Sequence, residues 1–371
     1  MGPARLSKKD GGSACAFGCS AFSWETEDGK HLWGRNFDFN QIAQGSRITY
    51  MPRGAAFAVC SGEGAWDTVV YRESRYAAVG TGLMIGPSAP AFYEGMNEKG
   101  LMGGQLYYRN FARFQKEARP GTLPLQPPFA VTYLLATCAT VEEAAAGLQS
   151  RVSMVHRPLL GTVPPIHWIF TDKTGESIVV EPDEEGLHIY RRTMGVMTNS
   201  PGYPWHRLNL LNYAQIRERD YDALAMNGDC LEPCFSGSGA FGLPGDWSSP
   251  SRFVRLSFLK KYGIKGKDEM EGVSHMFRLF QSVAFPLGMV KVGGAGEAAA
   301  RDAGVIPYDY TVYTSVMCAE SLRLYWNSYR NQRVQYVDLY ALMPQKQFLQ
   351  LDFDLREDFR ERTDFLENGA V

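Results

Sequence analysis

No stretch of this chain approaches the roughly 18 consecutive apolar residues that a membrane-spanning helix needs. The opening "MGPARLSKKDGGSACAFG", residues 1–18, starts basic but lacks the apolar run of about seven that a secretory signal carries. The same lack argues against a lipoprotein anchor before Cys19. The expected address is the cytoplasm, with no membrane contact. Neither sign of charge dominates. The 38 Lys and Arg residues stand against 40 Asp and Glu, a net charge of −2, so the concentrated positive field of a nucleic-acid partner is missing. Histidine is scarce and dispersed: His31, His156, His167, His188, His206 and His275 fall in no H-E-x-x-H motif and beside no G-x-S-x-G elbow. Zincin and serine-hydrolase chemistry therefore gain no support. The cysteines number seven, an odd and scattered count in a long chain, which disfavours a disulfide framework. Cys15/Cys19 and Cys230/Cys234 share a C-x3-C spacing, but no His pair flanks either couple, so no metal site is expected.

What is present favours one large globular body. Of the 371 residues, 45% are hydrophobic and 13% aromatic, enough to fill a sizeable core. "CSAFSWETEDGKHLWGRNFDF" reads as strand, Asp28-Gly29 turn, strand. "ITYMPRGAAFAVC" and "TVVYRESRYAAVGTGLMI" continue in strand-like runs. Residues 125–149 change to helical spacing, and Thr140-x-x-Glu143 forms a capping box that opens the second of two tandem helices. Residues 166–197 form a meander of three or four strands, with turns at Lys173-Thr174-Gly175 and Glu184-Glu185-Gly186. Helical patterns return near 205–215, 252–262 and 271–284. "YTVYTSVMC", "SLRLYWNSY" and "VQYVDLYAL" add strands near the end. No repeat or linker interrupts this order, so a single α+β domain with antiparallel sheet and helical layers fits. "GSGAFG", Gly237 to Gly242, matches a dinucleotide fingerprint, yet it has loop rather than strand and helix around it. It is read as a turning loop, with no cofactor.

Without a motif-bearing histidine, a hydrolase must find its base elsewhere, and Cys19 offers one. Were the chain cut before it, Cys19 would carry a thiol and a free α-amine on one residue. Their ordinary pKa values, about 8.5 and about 7.7–8.0, are close. Nucleophile and base would then be united, as in N-terminal threonine nucleophiles. Arg35 and Asp38, on the second strand of the hairpin, can reach back across the ladder toward the thiol. The alternative leaves Cys19 an ordinary strand cysteine and Arg35–Asp38 a surface ion pair.

The segments "GCSAF…DGKHLWGRNFDF", "YEGMNEKGLMGGQLYY" (93–108), "GESIVVEPD" (175–183), "GVMTNSPGYPWH" (195–206), "GLPGDWSSPSRFVRL" (242–256) and "YTVYTSVMC" (310–318) resemble, in order, the choloylglycine hydrolase family. That family includes penicillin V acylases and conjugated bile salt hydrolases. The likeness runs from Cys19 to about residue 340 and leans toward the penicillin V acylases of Gram-positive bacteria. It implies an N-terminal nucleophile hydrolase fold, a four-layer αββα sandwich. It also implies that residues 1–18 are a leader removed at Gly18-Cys19, leaving residues 19–371 as the working domain.

The resemblance further implies roles. Cys19 is the nucleophile and its α-amine the base. Arg35 favours the thiolate and Asp38 orients the cysteine. The Asn199 side-chain amide and the Tyr107 backbone N–H donate to the oxyanion, and Arg252 is the second arginine of the site. Tyr107 stands where bile salt hydrolases usually carry asparagine and penicillin V acylases tyrosine. The implied substrate is a small-molecule amide. Phenoxymethylpenicillin comes first, giving 6-aminopenicillanate and phenoxyacetate; a conjugated bile salt comes second and an N-acyl homoserine lactone third. A homotetramer is implied as well. A reading of another class keeps the fold but makes Cys19 a non-catalytic, redox-sensing residue.

Overall fold

The computed structural model describes residues 18–62, 65–292 and 306–363, so Cys15 and the leader before Gly18 lie outside the described residues. The opening hairpin forms as read, from strands Gly18–Glu25 and His31–Phe39. Gly29 turns the chain at φ 79°, a left-handed conformation that glycine adopts without a Cβ clash. The Lys30 N–H donates to Thr26 Oγ1 at 2.9 Å and closes the turn. In this register Gly18 lies opposite Asp38, Cys19 opposite Phe37, and Ala21 opposite Arg35.

Two antiparallel sheets stack face to face. In the first, the strand order is Val196–Met197, Gly18–Glu25, His31–Phe39, Tyr308–Cys318, Arg323–Ser328 and Gln335–Asp338, with Val290–Lys291 added beside Tyr308–Cys318. In the second it is Gly186–Tyr190, Ser177–Asp183, Ile166–Thr171, Met102–Tyr107, Pro90–Asn97, Ala78–Met84, Ser46–Met51 and Leu349–Leu351. Helices Ser249–Tyr262 and Glu269–Gln281 cover the outer face of the first sheet, where Phe22 meets Phe280 with ring centroids 4.5 Å apart. Helices Ala130–Thr137 and Val141–Ser150 cover the second sheet and seal a core that holds Phe92, Phe129, Trp168 and Phe170. The architecture is the four-layer αββα sandwich, with Trp33, Met102 and Ile169 buried in the larger core cluster. Among the described residues, no helix is long and apolar enough to cross a membrane.

Helix starts follow their caps. Glu143 N–H donates to Thr140 Oγ1 at 3.2 Å, while the Glu143 carboxylate reaches back to Ala139 N–H at 2.9 Å. Ser248 caps Ser249–Tyr262, with a proline in its first turn, so this helix begins a turn before the apolar spacing suggested. The pattern read over 205–215 is a shorter helix, Tyr203–Asn209, followed by a 3-10 turn, Leu210–Tyr213. The continuous run through "ITYMPRGAAFAVC" is interrupted at Pro52 and Gly54. Ser46–Met51 joins the second sheet, whereas Ala56–Gly62 pairs separately with Ala65–Glu73. "VQYVDLYAL" is half strand only: Asp338 accepts from the N–H groups of Tyr340 and Ala341 and caps a helical turn, Leu339–Leu342. "GSGAFG" is a loop with a single 3-10 turn, Ser238–Ala240.

The meander has a consequence for the site. Its first three strands, Ile166–Thr171, Ser177–Asp183 and Gly186–Tyr190, stay in the second sheet. The fourth, Val196–Met197, crosses to the first sheet and pairs with Gly18–Glu25, the strand that carries Cys19, with Ala21 opposite Met197. Continuing that antiparallel register carries Asn199 to Cys19. Gly195 makes the crossing possible. It sits at φ 65°, its carbonyl accepts from Ser23 N–H at 2.8 Å, and a Cβ there would lie 2.1 Å from Ser23 Oγ and 2.6 Å from Lys260 Nζ. Gly195→Ala is therefore expected to cost about 1–3 kcal/mol, through overpacking and a left-handed φ. Urea denaturation checks this; an unchanged midpoint contradicts the crossing as described.

Candidate active site

Cys19 is held at its side chain and at both main-chain groups. Its Sγ accepts from Arg35 Nη2 at 2.8 Å. Its N–H donates to Asn199 Oδ1 at 3.0 Å, and its carbonyl accepts from Arg252 Nη1 at 2.6 Å. Arg252 Nη2 also donates to Asn199 Oδ1 at 2.7 Å. A guanidinium can only donate, so the atom of Asn199 that faces it must be the oxygen. The Asn199 Nδ2 group is thereby turned the other way and donates to the Tyr107 carbonyl at 2.8 Å. An amide nitrogen carries two N–H donors, so one remains beyond the Tyr107 bond. All six residues singled out in the sequence thus converge: Cys19, Arg35, Asp38, Tyr107, Asn199 and Arg252.

Asp38 enters through the hairpin ladder, opposite Gly18. Its Oδ1 accepts from Thr311 Oγ1 at 2.5 Å, and its Oδ2 lies 4.0 Å from Arg252 Nη1. Burial pushes its carboxyl up to about 6, against the pull of Arg252, Thr311 and Arg35. Arg252, fourth residue of its helix, also donates through Nε to the Trp247 carbonyl at 2.9 Å and through Nη1 to Ser20 Oγ at 2.7 Å. Its guanidinium carbon lies over the Phe285 ring, 5.0 Å from the centroid.

The electrostatics differ from the sequence expectation in one respect. Burial, at 5% exposure, pushes the Cys19 thiol up and outweighs the pull of Arg35 and the weaker pull of Arg252. With the Gly18-Cys19 peptide intact, burial favours the thiol over the thiolate. Arg35 is also shared with other acceptors, because its Nη1 donates to Glu94 Oε2 at 3.2 Å as well as to the Gln105 carbonyl at 2.8 Å. Glu94 is fully buried and accepts from Tyr313 Oη at 2.8 Å. Sequence reasoning quoted Glu94 within a motif but gave it no role. Thr311 and Phe285 were likewise missed. Nothing in the sequence marks Glu94 as a partner for Arg35; its role follows from its burial on the second sheet.

An aromatic wall flanks the thiol. Phe37, the cross-strand neighbour of Cys19, stacks against Tyr93 at 5.3 Å and Tyr313 at 5.0 Å, and Arg35 lies over its ring at 5.0 Å. Among the described residues, no group of three or more His, Cys, Asp or Glu could hold a metal ion. A buried thiol, two arginines, an amide and an aromatic wall are groups suited to acyl transfer from a small molecule.

The comparisons with known proteins agree with this chemistry. The family model of linear amide C–N hydrolases, choloylglycine hydrolase family, matches residues 19–347, beginning at the cysteine described above. The bile salt hydrolase/transferase of Clostridium perfringens is 31% identical over 323 residues, covering 86% of this chain and 92% of that protein. That of Lactiplantibacillus plantarum is 29% identical over the same shares. A solved mutant of the conjugated bile acid hydrolase from Clostridium perfringens superposes with a TM-score of 0.81 at 28% identity, covering 92% of this chain and 99% of that one. Penicillin V acylase from Agrobacterium tumefaciens shares the fold, with a TM-score of 0.69 at 22% identity over 90% of this chain and 91% of that one. The chain belongs to the choloylglycine hydrolase family and is a hydrolase of linear amide C–N bonds.

Proposed function

We propose that this enzyme works as an N-terminal nucleophile hydrolase, exposed by removal of residues 1–18. The observation that carries the reading is the three-way hold on Cys19: Arg35 on sulfur, Asn199 on nitrogen, Arg252 on the carbonyl oxygen. Once the α-amine is free, the thiol gives up its proton to it and attacks the substrate carbonyl. The second N–H of Asn199 Nδ2 and the Tyr107 backbone N–H stabilise the oxyanion. The α-ammonium then protonates the leaving amine. Water, activated by the same amine, cleaves the thioester and restores the thiol.

Phenoxymethylpenicillin is the preferred substrate on this reading. Tyr107 and the aromatic wall of Phe37, Tyr93 and Tyr313 support it, since a phenoxy ring stacks well on aromatic faces. A conjugated bile salt is the second reading, favoured by the names of the relatives in Clostridium perfringens and Lactiplantibacillus plantarum. Parallel hydrolysis of phenoxymethylpenicillin and glycocholate separates them, with the penicillin expected to give the higher kcat/KM. Cys19→Ser should abolish both activities. Asn199→Ala should lower kcat about 100- to 1,000-fold, as loss of an oxyanion donor does. A higher kcat/KM on glycocholate makes the bile salt reading correct, and turnover by Cys19→Ser contradicts both.

The Asn199 main chain is gripped from two sides, which bears on pH. Its N–H donates to Ser249 Oγ at 2.9 Å, and its carbonyl is 3.0 Å from His206 Nε2, which must be the donating nitrogen. His206 stacks on Phe253 at 4.5 Å, and burial holds its imidazole neutral down to about 4. The unfolded chain takes that proton near pH 6.5, so this stabilising contribution is complete above pH 6.5 and is lost as pH falls toward 4. The loss amounts to about 3 kcal/mol. His206→Gln keeps a donor but removes the titration. Its melting temperature should fall less steeply than wild type between pH 6.5 and 4. Equal slopes contradict the assignment.

The proposal extends to a homotetramer. Its support is the hairpin Leu224–Met226/Asp229–Leu231, whose side chains are all exposed, together with Phe235 at 69% and Phe241 at 78% exposure. Exposed apolar side chains in this number favour a partner, here a second copy. Light scattering coupled to size exclusion should give four chains, and Phe241→Glu with Leu224→Glu should give fewer. A wild-type monomer contradicts the assembly.

A further inference from the structure

Gly18 has no side chain, and the fold leaves no room for one. The residue is fixed in the ladder opposite Asp38. A Cβ built on it would lie 2.5 and 2.8 Å from Cζ and Cε2 of Phe285 and 3.4 Å from Asp38 Cβ. The first two separations are far inside van der Waals contact. Its backbone does not need a left-handed φ, so conformational freedom is not the reason for glycine here. The constraint is the ring.

Phe285 is anchored. It is 3% exposed, its N–H donates to Thr311 Oγ1 at 2.8 Å, and its carbonyl accepts from Thr311 N–H at 3.1 Å. Its face carries the guanidinium of Arg252. The ring has space to retreat into a cavity of about 410 Å³ that it lines with Trp247, Phe277, Tyr313 and Tyr329. Such a retreat would uncover Arg252, which holds the Cys19 carbonyl and Asn199. A side chain at position 18 therefore either displaces the scissile peptide from the sulfur or disturbs the arginine that positions it.

We propose that Phe285 restricts the residue before the nucleophile to glycine and so gates removal of the leader; this rests on the processing described under Proposed function. In that step Cys19 Sγ adds to the Gly18 carbonyl carbon and the bond from that carbon to the Cys19 nitrogen breaks. The thiol proton ends on the new α-amine. Water then cleaves the Gly18 thioester, leaving a carboxylate on the departing leader and a thiol on Cys19. Phe285 forms no bond in this sequence. It is a positioning residue that acts through the placement of the Gly18 carbonyl.

The test follows freshly made chains by intact mass over time, as wild type, Gly18→Ala, Phe285→Ala and the double variant. Wild type should come to begin at Cys19. Gly18→Ala should be cut on the order of 100-fold more slowly, as expected for a reacting group displaced by about 1 Å. The double variant should be cut faster than Gly18→Ala, up to the rate of Phe285→Ala alone, which lacks the ring over Arg252. Folding is followed separately in the Cys19→Ala background, which has no side-chain atom able to attack the Gly18 carbonyl. There Gly18→Ala should lower the melting temperature, and adding Phe285→Ala should shrink that decrement. Cutting of Gly18→Ala at the wild-type rate, or a double variant no faster than Gly18→Ala, overturns the inference, and so does an unchanged melting temperature for Gly18→Ala. A wild-type chain that stays whole overturns the processing reading and this inference with it.

Discussion

Everything in the site depends on one side-chain amide, that of Asn199. Its oxygen takes the Cys19 N–H and an Arg252 N–H together, and its nitrogen reaches the Tyr107 carbonyl. Three parts of the fold thereby meet: the strand that carries Cys19, the helix that carries Arg252, and the strand Met102–Tyr107 of the opposite sheet. Asn199 can stand there because the chain leaves the second sheet at Gly195 and adds Val196–Met197 to the first. The sheet crossing and the hydrogen-bond geometry around Cys19 are consequences of the same backbone path.

Burial has opposing effects around the sulfur. It excludes water and strengthens every hydrogen bond that holds Cys19. It also raises the thiol and the Asp38 carboxyl, and it lowers Arg252, so each charged form is disfavoured. The arrangement remains favourable because the groups compensate one another. Glu94 and Tyr313 sit behind Arg35, Thr311 satisfies one oxygen of Asp38, and Ser20, Trp247 and Asn199 take up Arg252. A reactive N-terminal amine would add a base adjacent to the sulfur.

Local features were legible in the sequence because they rest on local physics. The first hairpin follows from alternation and the Asp28-Gly29 turn. It brings Arg35 and Asp38 beside Cys19 through a register that any antiparallel ladder imposes. Asn199 and Arg252 are 180 and 233 residues from Cys19, and no periodicity announces contacts of that range. Resemblance to a family singled them out; spacing did not. Glu94, Thr311 and Phe285 carried no signal of their own, since their importance lies in what they pack against. The misreading at 334–342 had an available correction, for Asp338 is an N-cap residue in the midst of an alternating run. The break at 52–54 was similarly marked by Pro52 and Gly54, but the apolar residues on either side masked it.

The central claim is that one residue supplies both nucleophile and base. It is tested most directly by rapid quenching of the enzyme with a slowly hydrolysed acyl amide, followed by intact-mass and fragment-mass analysis. The account expects the mass of the acyl group on Cys19, in a chain whose first residue is Cys19. An acyl adduct on any other residue, or on Cys19 in a chain that still carries Gly18, would contradict it.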